Sequence, residues 1–196
     1  PEALSTRGYT SAGFINNTFL APEFEVKQGF DLYDFAGATN DEHRTSVETA
    51  DKALAWLATQ PGPTFSLVHF MEPHLDYMPP PETAGTFTSG ERPEQLAMIP
   101  GEANPFTAMQ TGSMEPTERT RAYTVDLYDE EVLAADLGLG HLIAGLDTLG
   151  MRDNTIVVVT SDHGEEFWEH GRFEHGHALW SELTRVPLII AGPGLP

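Results

Sequence analysis

The sequence has no cysteine, few basic side chains and no long apolar run. Without cysteine, the 196 residues contain no disulfide, no thiolate zinc site and no cysteine nucleophile, though this says nothing of redox compartment. Ten Lys and Arg stand against 30 Asp and Glu, a formal net charge of −20. Tracking a phosphate backbone requires clustered Lys and Arg, so a nucleic-acid partner is excluded. The imbalance also fits a protein that dense surface carboxylates keep hydrated in high salt. No stretch approaches the roughly 18 to 20 unbroken apolar residues of a membrane span, and the opening PEALSTRGYT lacks the pattern of a signal peptide. GxSxG, GxGxxG, GxxxxGK[ST] and HExxH are all missing, which weakens the serine-hydrolase, nucleotide-fold and zincin readings.

What is present points to one α/β domain. The hydrophobic fraction is 40%, enough for a sizeable core at this length. A strand is predicted over 10–15, after a turn at Gly8. A helix follows over 46–59, where Val47, Ala50, Leu54 and Leu57 recur at helical spacing, and a short apolar strand over 65–70. A long amphipathic helix is expected over about 116–149, with Gly150 as its stop. TIVVVT, 155–160, is a β-branched run of the kind buried on both faces of a parallel sheet flanked by helices. A further buried-type strand is expected over 186–191. Residues 78–117, rich in Pro, Gly, Thr and Glu, read as a long surface excursion. The opening reads as the end of an element begun elsewhere, so the chain is expected to be an excerpt of a longer protein.

Half of the eight histidines fall within residues 163–177, directly after the TIVVVT strand. Ligand clefts of open parallel sheets form at the carboxyl ends of strands, so position and composition agree. Asp162 and His163 leave the strand together, with Gly164 letting the chain turn. A carboxylate and an imidazole at one point suit a divalent cation. The competing reading makes Asp162 a helix N-cap with Glu165 three residues on. A Ser161–Asp162–His163 triad is disfavoured because three consecutive residues cannot easily take the required mutual orientations.

His175 and His177 would share a face of an extended segment, with Trp168 and His170 flanking them. Two imidazoles there could bind a metal, hold an anion or donate a proton to a leaving oxygen. His74, in the Pro-punctuated MEPHLDYMPP after the FSLVHF strand, would form a second wall of the cleft. His69 reads as a hydrogen-bonded core residue, and His43 and His141 as surface residues. Asp126, Asp129, Glu130 and Glu131 read as the solvated face of the long helix.

Four segments, in order, resemble the sulfatase family of the alkaline-phosphatase-like superfamily. They are GYTSAGFINNTFLAPEFEVKQGFDLYD, FSLVHFMEPHLDYMPP, YDEEVLAADLGLGHLIAGLDTLGMRDNTIVVVTSDHGE and HGHALWSELTRVPLIIAGPG. The resemblance implies an incomplete alkaline-phosphatase-like catalytic domain over 1–196 and hydrolysis of sulfate esters. Phosphate or phosphonate ester hydrolysis, or phosphoglycerol transfer, is the alternative within the superfamily, and a non-catalytic module that kept the fold is another. It implies Asp162 and His163 as metal ligands, His74 at the substrate group, and His175 or His177 serving the anion or the leaving group.

The family's Cys-x-Pro-x-Arg nucleophile motif, or its Ser/Thr counterpart, does not occur in the sequence, nor do the early aspartates that complete the metal site. Formylglycine would therefore come from a segment outside these residues. The 196 residues alone are expected to be inactive and to bind metal poorly. Calcium is the implied cation of a sulfatase, and the imidazole in SDHG also admits manganese or zinc. The implied partner is a small-molecule or carbohydrate sulfate or phosphate ester. The family has periplasmic, secreted and cytoplasmic members, so cellular location stays open.

Overall fold

A computed structural model describes residues 1–37 and 44–195, so His43 lies outside the described residues. In chain order the elements are α1 (Glu2–Ser5), β1 (Thr10–Ile15), β2 (Leu32–Phe35), α2 (Ser46–Leu57), β3 (Thr64–Val68), α3 (Pro105–Gln110), α4 (Glu118–Thr148), β4 (Val157–Thr160), β5 (Glu166–Phe167), β6 (Phe173–Glu174), α5 (Ser181–Thr184) and β7 (Leu188–Ala191). No helix among the described residues is long and apolar enough to cross a membrane.

β1 is the middle strand of a parallel three-stranded sheet in the order β2-β1-β3. Being covered on both faces, it is buried from Ser11 through Ile15. α2 starts at a capping box, in which the Thr45 hydroxyl accepts from the Glu48 N–H and the Glu48 carboxylate accepts from the Thr45 N–H. Its small face packs on the sheet, where Ala53 meets Ala12 and Phe14 and Trp56 stands edge-on to Phe14 at 6.2 Å. Fully buried Asn16, just past β1, ties three elements. Its Nδ2 donates to Thr49 Oγ1 at 2.8 Å and to the His69 carbonyl at 2.7 Å, and its Oδ1 accepts from Arg44 Nε at 3.0 Å.

α2 and α4 approach closely through glycine. A Cβ on Gly138 would lie 2.4 Å from Ser46 Cβ and 2.9 Å from the Ser46 backbone carbon. Gly138→Ala is therefore expected to cost about 1–3 kcal/mol from overpacking, more than the roughly 1 kcal/mol gained in helix propensity. Urea unfolding checks this, and a variant at least as stable as wild type would contradict the close approach.

The structure differs from the sequence reading at two places. TIVVVT was expected to be buried on both faces of a parallel sheet. Among the described residues β4 pairs only with β7, antiparallel, and its burial alternates. Ile156 is 61% exposed, and the LIIA run of β7 is exposed for most of its length. The run has the composition of a covered strand, but the described residues cover one side of it only. The acidic face of α4 is the second difference. Glu130 and Glu131 are buried at 0% and 1% exposure because each carboxylate serves backbone donors from the chain beside it. Glu130 accepts from the Phe87 and Thr88 N–H groups at 2.9 and 2.8 Å and from the Thr88 hydroxyl. Glu131 accepts from the His74 N–H at 2.9 Å and from the Met78 N–H.

Residues 78–117 pack through Leu96, Phe106 and Met109 into a core with Tyr77, Leu127 of α4 and Phe173 of β6. That core lies behind the segments that carry the histidines.

Candidate active site

Three strand ends meet at one open cleft. Asn17 follows β1, residues 69–74 follow β3, and residues 161–165 follow β4; all line it. These are carboxyl ends of strands, where the sheet edge leaves room for a ligand. Asn17 was not singled out from the sequence, because a single Asn after a strand looks like any turn residue.

The structure brings His74, His163 and His175 together. The His163 and His175 rings stack with centroids 3.7 Å apart, and His74 stands edge-on to His175 at 5.7 Å. Each ring is tied at Nδ1 to a nearby acceptor: His74 to the Leu75 carbonyl at 2.6 Å, His163 to the Gly164 carbonyl at 2.8 Å, and His175 to Glu165 at 2.9 Å. A carbonyl can only accept, so Nδ1 of His74 and His163 carries the proton and Nε2 is the atom left for a ligand. Burial by itself lowers the affinity of His175 for a proton. The hydrogen bond and charge of Glu165, with the charges of Glu174 and Asp162, outweigh it and raise the pKa above the ordinary histidine value.

No helix starts at Asp162, which removes the N-cap reading. The Asp162 side chain is 79% exposed, and its Oδ1 lies 3.8 Å from His163 Nε2. Gly164 is required by close approach: a Cβ there would fall 2.0 Å from the Glu182 carbonyl, against which the turn packs.

His177 does not join His175. The expected extended segment is broken at Gly176, whose φ is +83°, and the two rings pair with successive carboxylates. His177 Nε2 lies 2.7 Å from Glu166, which is fully buried. Burial alone would raise the Glu166 carboxyl, but bonds from His177 and from the Arg172 and His170 N–H groups hold it below the usual range. His170 stacks on Trp180 at 4.2 Å and reaches Glu182 at 3.2 Å, apart from the three-ring cluster. His141 pairs with Asp51 at 2.7 Å on the surface. His69 departs from its expected place in the core: it lines the cleft, and among the described residues its buried Nδ1 has no partner.

The family model for sulfatases matches residues 1–196. The chain belongs to the sulfatase family. Among curated proteins it is 29% identical over 150 residues to an ulvan-active sulfatase of Formosa agariphila, covering 76% of this chain and 27% of that one. It is 26% identical over 172 residues to mouse (Mus musculus) iduronate 2-sulfatase, covering 77% and 30%. Among solved structures, the phosphonate monoester hydrolase of Agrobacterium radiobacter superposes with a TM-score of 0.72 at 18% identity, over 98% of this chain and 52% of that one. A protein solved in complex with its substrate D-glucosamine-2-N,6-O-disulfate superposes at 0.67 with 22% identity, over 98% and 55%. The chain thus spans about a third or less of the curated relatives it matches and about half of the solved ones, and its fold is theirs, α/β and alkaline-phosphatase-like.

A divalent cation is the group that the sulfatase family implies, and the described residues offer two side chains that could contribute to a site for it. No group of three or more His, Asp or Glu side chains among the described residues stands close enough together to hold one. Asp162 Oδ1 and His163 Nε2, 3.8 Å apart with Nδ1 of the ring already committed, fit as two ligands, since metal–ligand bonds of about 2.0–2.5 Å can bridge such a pair.

Proposed function

We propose that the protein carrying this chain hydrolyses sulfate esters with the help of a divalent cation, and that the cleft at the three strand ends is half of its active site. The observation that carries this reading is the meeting of His74, His163 and His175 beside Asp162. Family membership favours sulfate, and a sulfated carbohydrate such as those in the names of its relatives is the substrate class. Asp162 and His163 would hold the cation, with calcium first and manganese or zinc as alternatives. When bound, the cation would offset negative charge on the oxygens around sulfur.

The chain's own residues then have separate tasks. With Nδ1–H on the Leu75 carbonyl and its backbone held by Glu131, His74 would donate an Nε2–H of its doubly protonated ring to a sulfuryl oxygen. As the S–O bond to the alcohol breaks, His175 Nε2 gives its proton to the departing oxygen. His177, paired with buried Glu166, supports the loop and does not touch substrate. The attacking group, formylglycine or a hydroxyl, lies outside these residues, so the 196 residues alone turn over no ester.

The paired hydrolysis of 4-nitrophenyl sulfate and 4-nitrophenyl phosphate by the full-length protein tests this. Faster sulfate turnover is expected. Faster phosphate turnover would favour the phosphoryl-ester reading, which the likeness to a phosphonate monoester hydrolase and the imidazole of His163 support. Turnover of neither would defeat both.

A further inference from the structure

We propose that Glu165, anchored in turn by Tyr77, is a positioning residue that fixes which nitrogen of His175 faces the substrate; this rests on the reading of His175 as the group serving the leaving oxygen. The His175 ring is held in its plane by stacking on His163 at 3.7 Å. Stacking is indifferent to a half-turn of the ring about Cβ–Cγ, which would put a carbon where Nε2 should be. A hydrogen bond at Nδ1 is not indifferent. Glu165 Oε1 supplies it at 2.9 Å, so Nδ1 is committed and Nε2 is the nitrogen left to exchange a proton. The nearest other carboxylate, on Glu174, lies 3.8 Å from Nε2, beyond hydrogen-bond reach.

Glu165 is itself fixed. Its side chain is 5% exposed, and its Oε2 accepts from the Tyr77 hydroxyl at 2.7 Å. Rotating the carboxylate would break one of its two bonds in a buried setting, where an unmade bond is costly. Tyr77 is 1% exposed and caged edge-on by Phe106 at 5.7 Å, Tyr128 at 5.6 Å and Phe173 at 6.3 Å. Residues 78–117 supply Phe106, so that excursion steadies the histidine through the phenol and the carboxylate. The arrangement resembles in logic a buried acid holding a catalytic imidazole in one tautomer.

The test is a double-mutant cycle in the full-length protein, read by kinetics and by NMR of nitrogen-15-labelled histidine. Glu165→Ala is expected to lower kcat by roughly 10–100-fold with little change in KM. Glu165→Gln, whose amide oxygen can still accept from Nδ1, keeps most of the activity. In a His175→Ala background, Glu165→Ala costs nothing further. The neutral His175 ring carries its proton at Nδ1 in the wild type and becomes a mixture in Glu165→Ala. Should Glu165→Ala not fold, Tyr77→Phe leaves no cavity and is expected to give a smaller loss that also vanishes without His175. An equal cost with and without His175, or an unchanged tautomer, would overturn the proposal. If the wild type hydrolyses neither ester, the proposed function fails, and the tautomer measurement alone then decides the role of Glu165.

Discussion

Asp162→Ala in the full-length protein is expected to lower ester turnover at least about a hundredfold while changing folding stability by no more than about 0.5 kcal/mol. The separation of the two effects follows from the geometry. The carboxylate is 79% exposed, and its hydrogen bond at 3.2 Å is local, from the N–H of the next residue. A side chain so placed contributes little to the fold. As one of the two proposed cation donors, it would contribute much to the chemistry, since even partners one step removed from a metal cost 10–100-fold. Part of the lost rate should return as cation concentration rises, because weakened binding can be offset by mass action. Asp147→Ala, on the exposed end of α4, serves as the control and should change neither quantity. Unchanged turnover in Asp162→Ala would remove the cation from this cleft.

Glu131 carries the largest expected effect on stability, and its sign depends on pH. Burial, its largest influence, outweighs the His74 and Met78 N–H bonds and raises its pKa from 4.5 to about 8, with Glu72 and Asp76 adding to the rise. A carboxyl whose folded-state pKa lies above its unfolded value favours folding in the protonated form. Its contribution is complete below about pH 4.5 and is lost as pH rises through about 8, a swing on the order of 5 kcal/mol. Glu131→Gln imitates the neutral form, so its stability should fall less steeply between pH 5 and 8 than that of the wild type. Glu131→Ala strands the His74 and Met78 N–H groups at any pH, at about 1–3 kcal/mol each. Urea unfolding across that pH range, for wild type and both variants, reads all three slopes. Parallel pH profiles for wild type and Glu131→Gln would contradict a neutral buried carboxyl.

Much of the fold could be read from the sequence because its long elements are strongly periodic. α4 spans Glu118–Thr148 against an expectation of about 116–149, and α2 starts at Ser46 as expected. The convergence of His74 with His163 was also legible, since both follow apolar runs and strand ends share an edge. The separation of His177 from His175 was not. It depended on one left-handed glycine, Gly176, and on two adjacent glutamates that face different rings. Glu130 and Glu131 were misread for a related reason. A charge run looks solvated unless it is known which backbone donors lie against it, and those come from residues 42 to 57 positions away. The exposure of β4 and β7 was hidden as well, because apolar composition records that a strand is to be covered and not which segment covers it.

The most direct measurement is a crystal structure of the full-length protein with its cation and a sulfate-ester analogue, the cation located by anomalous scattering. The cation should lie within ligand distance of Asp162 and His163 Nε2, with His74 and His175 Nε2 within hydrogen-bond reach of the ester oxygens. A cation bound elsewhere, or an ester seated away from the His74–His163–His175 cluster, would contradict the assignment of this cleft as the active site.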